Sequence, residues 1–448
     1  MSFLACPILC HQFVSTIGSD DSCKSARISL ATQALDIMDH YHSVNPQAHM
    51  LVDYLKQNQI TTKYSTHWLD HTASKAETRS DSLYGVLLNS QSPSETYNCT
   101  MELLSIYTIQ NRFGQALTLL QSYGSSAGFS TDPTTTEQIT NHKYLQYLLF
   151  SYVISVYKHV WFEDVEDEVS NDVPITISPH KNLETYLKRA NYFYNKKRSL
   201  LTEDAEREIR CYWLLRWMST LVSFSQGMVE KFLEEFTSVS ESSSIIHPYN
   251  CMELDGFSLK EPLLLAHGLS VSMMRPFSVA LHLDDKLADL YSNTSSTNQI
   301  MTYLVLLKDS QFAEVHKLLR SESFKHTIEL HGGFALPDSF LTRLQHSITF
   351  KVFILVIQTV KRIPRTKMLA IMGHEDNAGT TKLLLSMLTI LGSAHFGVGY
   401  NTSGDYFYNT RQTQVPLEQE VDRLAQSLEG EAMSAVVNAA LLEKIHRT

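Results

Sequence analysis

The sequence predicts a mainly α-helical protein of paired helices with one short β-hairpin towards its C-terminal end. Three observations predict it. Among 448 residues there are 17 glycines and 12 prolines, about half of average usage (~12% of a chain), too few for many short strands joined by turns. Apolar residues recur three and four apart along most of the chain, the period of helices with one buried face. From Ala394 to Tyr408 the period switches to two. Hydrophobic residues make up 43% and charged residues 19%, which supports a large core and excludes general disorder. At roughly 100–200 residues per domain, the length fits two to four domains or one extended repeat array.

The start, Met1 to Cys10, is apolar but short and lacks a basic n-region, and a buried first helix explains it as well as a signal peptide would. The helical pattern is then clearest in three paired segments. Leu103, Leu104 and Tyr107 precede a polar break at Asn111-Arg112, and Phe113, Ala116, Leu117 and Leu120 follow it. Leu214 to Phe236 repeats the arrangement around Ser225-Gln226-Gly227, and Ile300 to Leu319 around Lys308-Asp309-Ser310. Apolar stripes on both sides of a short break describe an antiparallel helix pair. Each pair resembles a tetratricopeptide-type (TPR-like) hairpin without a fixed 34-residue period. Such hairpins cannot bury their faces alone and are expected to stack into a solenoid, with an irregular helical bundle as the other reading.

Three stretches interrupt the helices. Gly124 to Thr136 is Ser/Thr/Gly-rich with Pro133 and reads as an exposed loop. Glu163 to Asp172 carries six acidic residues and leads to Pro174, a solvated linker with a docking strip for a basic partner as the other reading. Ser238 to Ser244 is a further polar break.

From Leu341 the organisation changes. Leu341, Leu344, Ile348, Val352, Leu355 and Val356 predict a long helix over Leu341 to Ile363, ended by Pro364. Lys367 to Met372 predicts one to two helical turns closed by Gly373. Thr380 is the expected N-cap of a helix over Thr381 to Leu391, whose Leu383, Leu384, Met387, Leu388 and Leu391 form one stripe stopped by Gly392. Ala394, Phe396, Val398 and Tyr400 then alternate with His395, Gly397 and Gly399, and Asn401-Thr402-Ser403-Gly404 makes the turn into Asp405 to Tyr408. Helix, helix, helix, hairpin is the order of a winged helix. A last amphipathic helix starts at Pro416, with Leu417, Val421, Leu424 and Leu428 on one face and Met433 to Leu441 continuing it beyond Gly430. With the winged helix already closed, that face is expected to lie against another chain.

Helical hairpins running into a winged helix and a terminal helix resemble the PCI family, the scaffold subunits of the proteasome lid, the COP-nine signalosome and eukaryotic initiation factor three. The family's wing reads as a glycine, apolar residues two, four and six positions on, a turn glycine and two further alternating apolar positions. Here these are Gly392, Ala394, Phe396, Val398, Gly404, Tyr406 and Tyr408. The turn is one residue longer than usual, and Phe396 stands where a small residue is commoner. The match covers Leu287 to Tyr408; the helices before it fit in kind only. The resemblance implies a helical-repeat domain at 1–285, a PCI region at 286–410 with the winged helix at 364–410, and a C-terminal bundle helix at 411–448. It also implies partners: other PCI subunits and the metal-isopeptidase subunit of the same complex, with no homo-oligomer.

The aromatics point the same way. Tyr400, Tyr406, Phe407 and Tyr408 give the wing a large contact area at low entropic cost, and a two-stranded wing leaves an edge onto which a neighbour's strands can add; the wing positions singled out are Phe396, Val398, Tyr400, Tyr406 and Tyr408. These five, with Leu417, Val421, Leu424 and Leu428, are the expected subunit-interface residues; covering the winged helix's own core accounts for at least one face of the wing.

No catalytic, metal or cofactor site is expected. Gly124-Ser125-Ser126-Ala127-Gly128 has the G-x-S-x-G spacing but follows a helix, where a nucleophile elbow needs a strand. His40-Tyr41-His42 lacks a third ligand, and His67 and His71 flank Trp68 where a metalloprotease needs a glutamate. Gly397-x-Gly399 lies inside a strand, not at a strand-to-helix turn. A recognition helix at Thr381 to Leu391 carries a single cation, Lys382, and the net charge is −10, so nucleic acid is not the expected partner. The cluster Lys361, Arg362, Arg365 and Lys367 is read as favouring a helix C-terminus. No run approaches 18 uninterrupted apolar residues, so no membrane partner is expected. Six scattered cysteines without a C-x-x-C pair read as the reduced thiols of a protein of cytoplasm and nucleus.

Overall fold

The computed structural model describes residues 1–17, 24–90, 92–129, 143–162, 179–197, 205–242, 244, 246–277, 285–294, 298–393 and 396–409. The chain is mainly helical. It forms two compact units: Met1–Leu263 with Ile328–Pro337, and Leu264–Thr327 with the described residues from Asp338 onward.

In the first unit a 3-10 turn, Ser2–Leu4, leads into α1 (Ala5–Ser15), α2 (Lys24–His40), α3 (Ala48–Gln57), α4 (Thr66–Asn89) and α5 (Pro93–Ile109). α6 (Phe113–Ser126), α7 (Tyr144–Val156), α8 (Pro179–Lys197), α9 (Ala205–Ser225) and α10 (Val229–Ser240) follow. A small hairpin of β1 (Glu253–Leu254) and β2 (Phe257–Ser258) precedes α11 (Lys260–Met274), within which the first unit ends. From α1 to α10 each helix packs on the next, the neighbour-by-neighbour order of a stacked array.

The hairpin breaks share one device. Asn111, Gly227 and Ser310 all take the left-handed conformation, with φ of 59°, 76° and 55°. At each, two amides fold back on the helix just ended: Arg112 N to Tyr107 O and Asn111 N to Thr108 O; Met228 N to Ser223 O and Gly227 N to Phe224 O; Gln311 N to Leu306 O and Ser310 N to Leu307 O. This is the Schellman pattern, which satisfies carbonyls left open at a helix end. The next residue has almost the same backbone in all three cases, φ near −80° with ψ of 58°, 65° and 59° at Arg112, Met228 and Gln311. A buried apolar residue, Phe113, Val229 or Phe312, then opens the second helix. The repeat is thus in the backbone. The residue at the left-handed position varies.

α7 is the core of the first unit, and all of its residues are buried. Its sequence is apolar on every side, so it has no stripe for a periodicity search to find. Some of its polar groups are answered: the Glu208 carboxylate accepts from Leu145 N at 3.1 Å, and Gln146 Oε1 accepts from the Tyr97 hydroxyl at 3.0 Å, whereas the Tyr144 and Ser151 hydroxyls are buried without a hydrogen-bond partner among the described residues.

The second unit continues with α12 (Asp285–Ser292), α13 (Asn298–Lys308), α14 (Phe312–Arg320), α15 (Glu322–Gly332, which ends in the first unit) and α16 (Phe340–Thr359). Then come β3 (Arg362–Pro364), α17 (Arg365–Met372), α18 (Ala378–Ser393), β4 (Val398–Asn401) and β5 (Tyr406–Asn409). The strands form one antiparallel sheet in the order β3-β5-β4. α16 is long and apolar enough to cross a membrane by length and composition, and 61% of that apolar window is buried in the unit. Leu344, Ile348, Val352 and Val356 are buried, whereas Leu355 is exposed. On α18, Leu384, Met387 and Leu391 form the buried stripe. Gly373 closes α17 at φ 65°, and a Cβ there would stand 2.7 Å from the Ala313 Cα, so both conformation and space demand glycine.

Several local readings need correction. The helix over Leu341 to Ile363 stops at Thr359, because Arg362 to Pro364 is extended and pairs with Tyr406 to Tyr408. Pro364 fits at the end of an edge strand, where a missing N–H costs no ladder bond. The cap of α18 is Asn377, not Thr380: Asn377 Oδ1 accepts from Thr380 N at 2.9 Å and from its hydroxyl at 3.0 Å. Gly124 to Ser126 is the last turn of α6 rather than loop, with Gly124 buried beneath the Tyr147 ring. The break at Ser238 starts late, since α10 runs to Ser240. The acidic stretch 163–172 and the helix beginning at Pro416, with Leu417, Val421, Leu424 and Leu428, lie outside the described residues.

Candidate subunit interface

The three-stranded sheet has two faces of opposite character. Register places Ile363, Phe407, Tyr400 and Val398 on one and Arg362, Tyr406, Tyr408, Gly399 and Asn401 on the other. Phe407 is 1% exposed and meets Phe353 of α16 edge-on, with ring centroids 5.4 Å apart. Tyr400 packs on Phe407 at 4.9 Å. That face closes the core.

The turn is locked to α17. Asn401 Oδ1 accepts from Gly404 N at 2.8 Å, and Asp405 takes a left-handed φ of 49°. Arg365 Nε donates to the Asp405 carboxylate at 2.9 Å and its backbone N to Asp405 O at 3.0 Å, while its other arm holds Asp376. The Tyr400 hydroxyl donates to the same Asp405 carboxylate. Those two partners, the hydroxyl first and then the guanidinium, hold the Asp405 carboxyl below the usual carboxylate range. The same bond pushes the Tyr400 hydroxyl up.

On the outer face Tyr406 and Tyr408 stand side by side, centroids 6.2 Å apart, each half-buried. The Arg362 guanidinium lies 5.5 Å from the Tyr406 ring centre, in cation–π range. Asn401 Nδ2 donates to the Tyr406 hydroxyl at 3.2 Å. Tyr408 lies directly over Gly399: a Cβ there would come within 2.5 Å of the ring. An open groove of about 560 Å³ runs between these residues, Lys361 and the turn. Neither Lys361 nor Arg362 has a carboxylate partner among the described residues.

The expected wing residues are therefore divided. Tyr406 and Tyr408 are on the outward face; Tyr400 is tied to the turn and the core; Val398 shares its face; Phe396 precedes β4, its backbone N bonded to Leu391 O at 3.0 Å. Two outer-face residues, Arg362 and Gly399, did not emerge from the sequence as interface positions. The signal for Arg362 was weak, since it depends on β3, a three-residue strand. The basic cluster does not mark a helix C-terminus: Lys361 precedes β3, Arg362 is its first residue, and Arg365 and Lys367 open α17. β4 is an edge strand, so the backbone of Val398 to Asn401 offers one unpaired side to a further strand.

The remaining motifs are scattered. His40 and His42 stand exposed at the end of α2, and His67 and His71 are exposed on α4. Among the described residues no group of three or more His, Cys, Asp or Glu is placed to hold a metal. Ser126 Oγ donates to Tyr123 O at 2.9 Å within its own helix. Lys382 is exposed on α18, beside the exposed Leu385. No protein-family model and no curated protein matches the chain.

Proposed function

We propose that this chain is a non-catalytic scaffold subunit of a multi-subunit PCI complex, namely the COP-nine signalosome, which removes a ubiquitin-like modifier from cullin scaffolds of ubiquitin ligases. The observation that carries the reading is the order helix, strand, helix, helix, strand, strand from α16 to β5, with β3 joining the hairpin in one sheet. That is a winged-helix order, and it follows stacked TPR-like hairpins. An outward face with two tyrosines and an open edge strand suits association by wing pairing. Within the family, the segment Lys286 to Thr294 and the tail Glu418-Gln419-Glu420-Val421 are similar to signalosome subunit three. The proteasome lid and initiation factor three use the same architecture and are the alternatives. In the signalosome version the metal and general base would sit in a different subunit, in cytoplasm and nucleus, and this chain would contribute surfaces.

A second reading, an RNA-binding PCI adaptor in messenger export, is favoured by one observation: Lys361 and Arg362 stand unneutralised beside Tyr406 and Tyr408. Cations interleaved with aromatics are what single-stranded nucleic acid needs.

Affinity purification with identification of co-purifying chains tests the assignment. Replacing Tyr406 and Tyr408 with Ser is expected to weaken association about tenfold or more, as loss of paired aromatic anchors does, while helix content stays unchanged. An undiminished pull-down removes the wing from the interface. Salt-dependent RNA binding lost on Arg362→Gln selects the adaptor.

A further inference from the structure

Three segments far apart in sequence meet in a polar cleft of the second unit. α14 contributes His316 and Arg320, α16 contributes His346 and Thr349, and the turn between α17 and α18 contributes His374 and Asn377. The hydrogen bonds fix how protons are arranged. Arg320 donates to His374 Nδ1 at 2.8 Å, and a guanidinium is a donor only, so His374 carries its proton on Nε2. Thr349 gives its hydroxyl hydrogen to Gln345 O at 2.7 Å. Its oxygen is left to accept from His374 Nε2 at 3.5 Å and from His316 Nε2 at 3.4 Å. The two rings lie 4.8 Å apart, both neutral N–H donors.

The charge is unbalanced. Arg320 is the permanent cation lining the cleft, no carboxylate lines it, and Arg320 has no carboxylate partner among the described residues. Its neighbours are matched: Lys317 pairs with Glu314 and Lys325 with Glu322. Asp376, next to the cleft in sequence, is held by Arg365. Arg320 is exposed, so in a chain of net charge −10 its charge is open to an anion from solvent. Asn377 adds to the donors: its Oδ1 caps α18, and its Nδ2 makes no hydrogen bond among the described residues. The volume, about 280 Å³, is at the low end for small-molecule pockets, and polar walls suit a compact charged group over an apolar ligand.

We propose that this cleft is an oxyanion site that binds a phosphate group, with Arg320 as its anchor, Asn377 Nδ2 as a further donor and the two imidazoles as its wall. A phosphorylated side chain of a protein partner and a free phosphate share this chemistry. Burial, and then the positive charge of neighbouring groups, pushes the His316 and His374 rings down to about 3 and about 4. A dianion there opposes the second cause, so phosphate raises the affinity of these rings for protons. The charged groups facing them are Arg320 from α14 and His346 from α16.

The test uses the full chain with inorganic phosphate, a short phosphoserine peptide and the same peptide unphosphorylated, read by calorimetry and by histidine ring resonances. Phosphate and phosphopeptide are expected to bind and shift His374 and His316, and the unphosphorylated peptide is not. Arg320→Gln is expected to weaken binding about tenfold or more, as loss of a charged phosphate donor does. Lys317→Gln, which removes the same charge from an exposed site on the same helix, is expected to leave binding unchanged. Tighter binding of the phosphopeptide than of phosphate makes a modified partner the source; equal binding makes it free phosphate. No ring shift at millimolar phosphate, or equal binding by Arg320→Gln, overturns the proposal.

Discussion

The wing sheet and the histidine cleft lie in the same unit, and the chain builds them in opposite ways. The sheet comes almost entirely from one continuous stretch, Val398 to Asn409, to which β3 adds three residues. The cleft is assembled from residues at 316–320, 345–349 and 374–380, none of which forms a pattern with its own neighbours. The sheet sorts its residues by face: an apolar side that pays for its own burial and an outer side left to aromatics and cations. The cleft buries polar groups and holds them with one another's hydrogen bonds. A surface made by alternation can be read locally. A site made by convergence exists only after folding.

The largest expected effect separates the two faces of the sheet. Phe407 is 1% exposed and packs against both Phe353 and Tyr400. Phe407→Ala is expected to cost the second unit about 3–5 kcal/mol, the usual loss for a buried phenylalanine. Protection of the β5 amides in hydrogen exchange measures it. A loss below about 1 kcal/mol would mean that the neighbouring rings close the gap and that the inner face is less fixed than its packing implies.

The next effect belongs to the cleft and is one of acidity. Unfolded imidazoles take protons near pH 6.5, whereas the native rings of His316 and His374 do so only near 3 and 4. Between those limits the unfolded chain binds more protons than the folded one, so stability is full above pH 7 and falls as pH drops through 6.5. By pH 5.5 the pair is expected to remove about 2 kcal/mol, after allowance for the partial exposure of His374. Histidine ring resonances should stay flat from pH 7.5 to 5, and the fall in urea midpoint should shrink in the His316→Asn, His374→Asn double variant. Rings that titrate near 6.5 would contradict the packing around Thr349.

How far the sequence could be read follows from the same contrast. The three helical breaks were visible because a polar interruption sits between two apolar stripes, and Gly373 because glycine marks a left-handed helix end. Ser310 in that conformation was not visible, since serine carries no such mark. α7 escaped because an evenly apolar helix has no period, although it is the core of the first unit. β3 escaped because Val360 and Ile363 continue the helical spacing of Val352 and Val356, and only pairing with β5 makes it a strand. The tyrosines of the wing were visible, but their sorting into faces waited on register: Tyr400 shares a side with Phe407, not with Tyr406 and Tyr408.

The smallest expected effect on stability is also the sharpest probe of the outer face. Gly399 lies opposite Tyr408 on that face, and a Cβ there would meet the far end of the Tyr408 ring at 2.5 Å. A ring end can swing away, unlike backbone, so Gly399→Ala is expected to change stability by less than about 1 kcal/mol. The cost of displacing the ring is offset by the lower chain entropy of alanine in a strand. What changes is the surface: Tyr408 leaves its place beside Tyr406, and the contact proposed for a neighbouring subunit is expected to be lost without touching any residue assigned to it. Association measured beside hydrogen exchange of β4 and β5 decides the matter. Weakened association with unchanged protection ties binding to the position of the ring, whereas unchanged association would leave the open edge of β4, and not its tyrosine face, as the surface that matters.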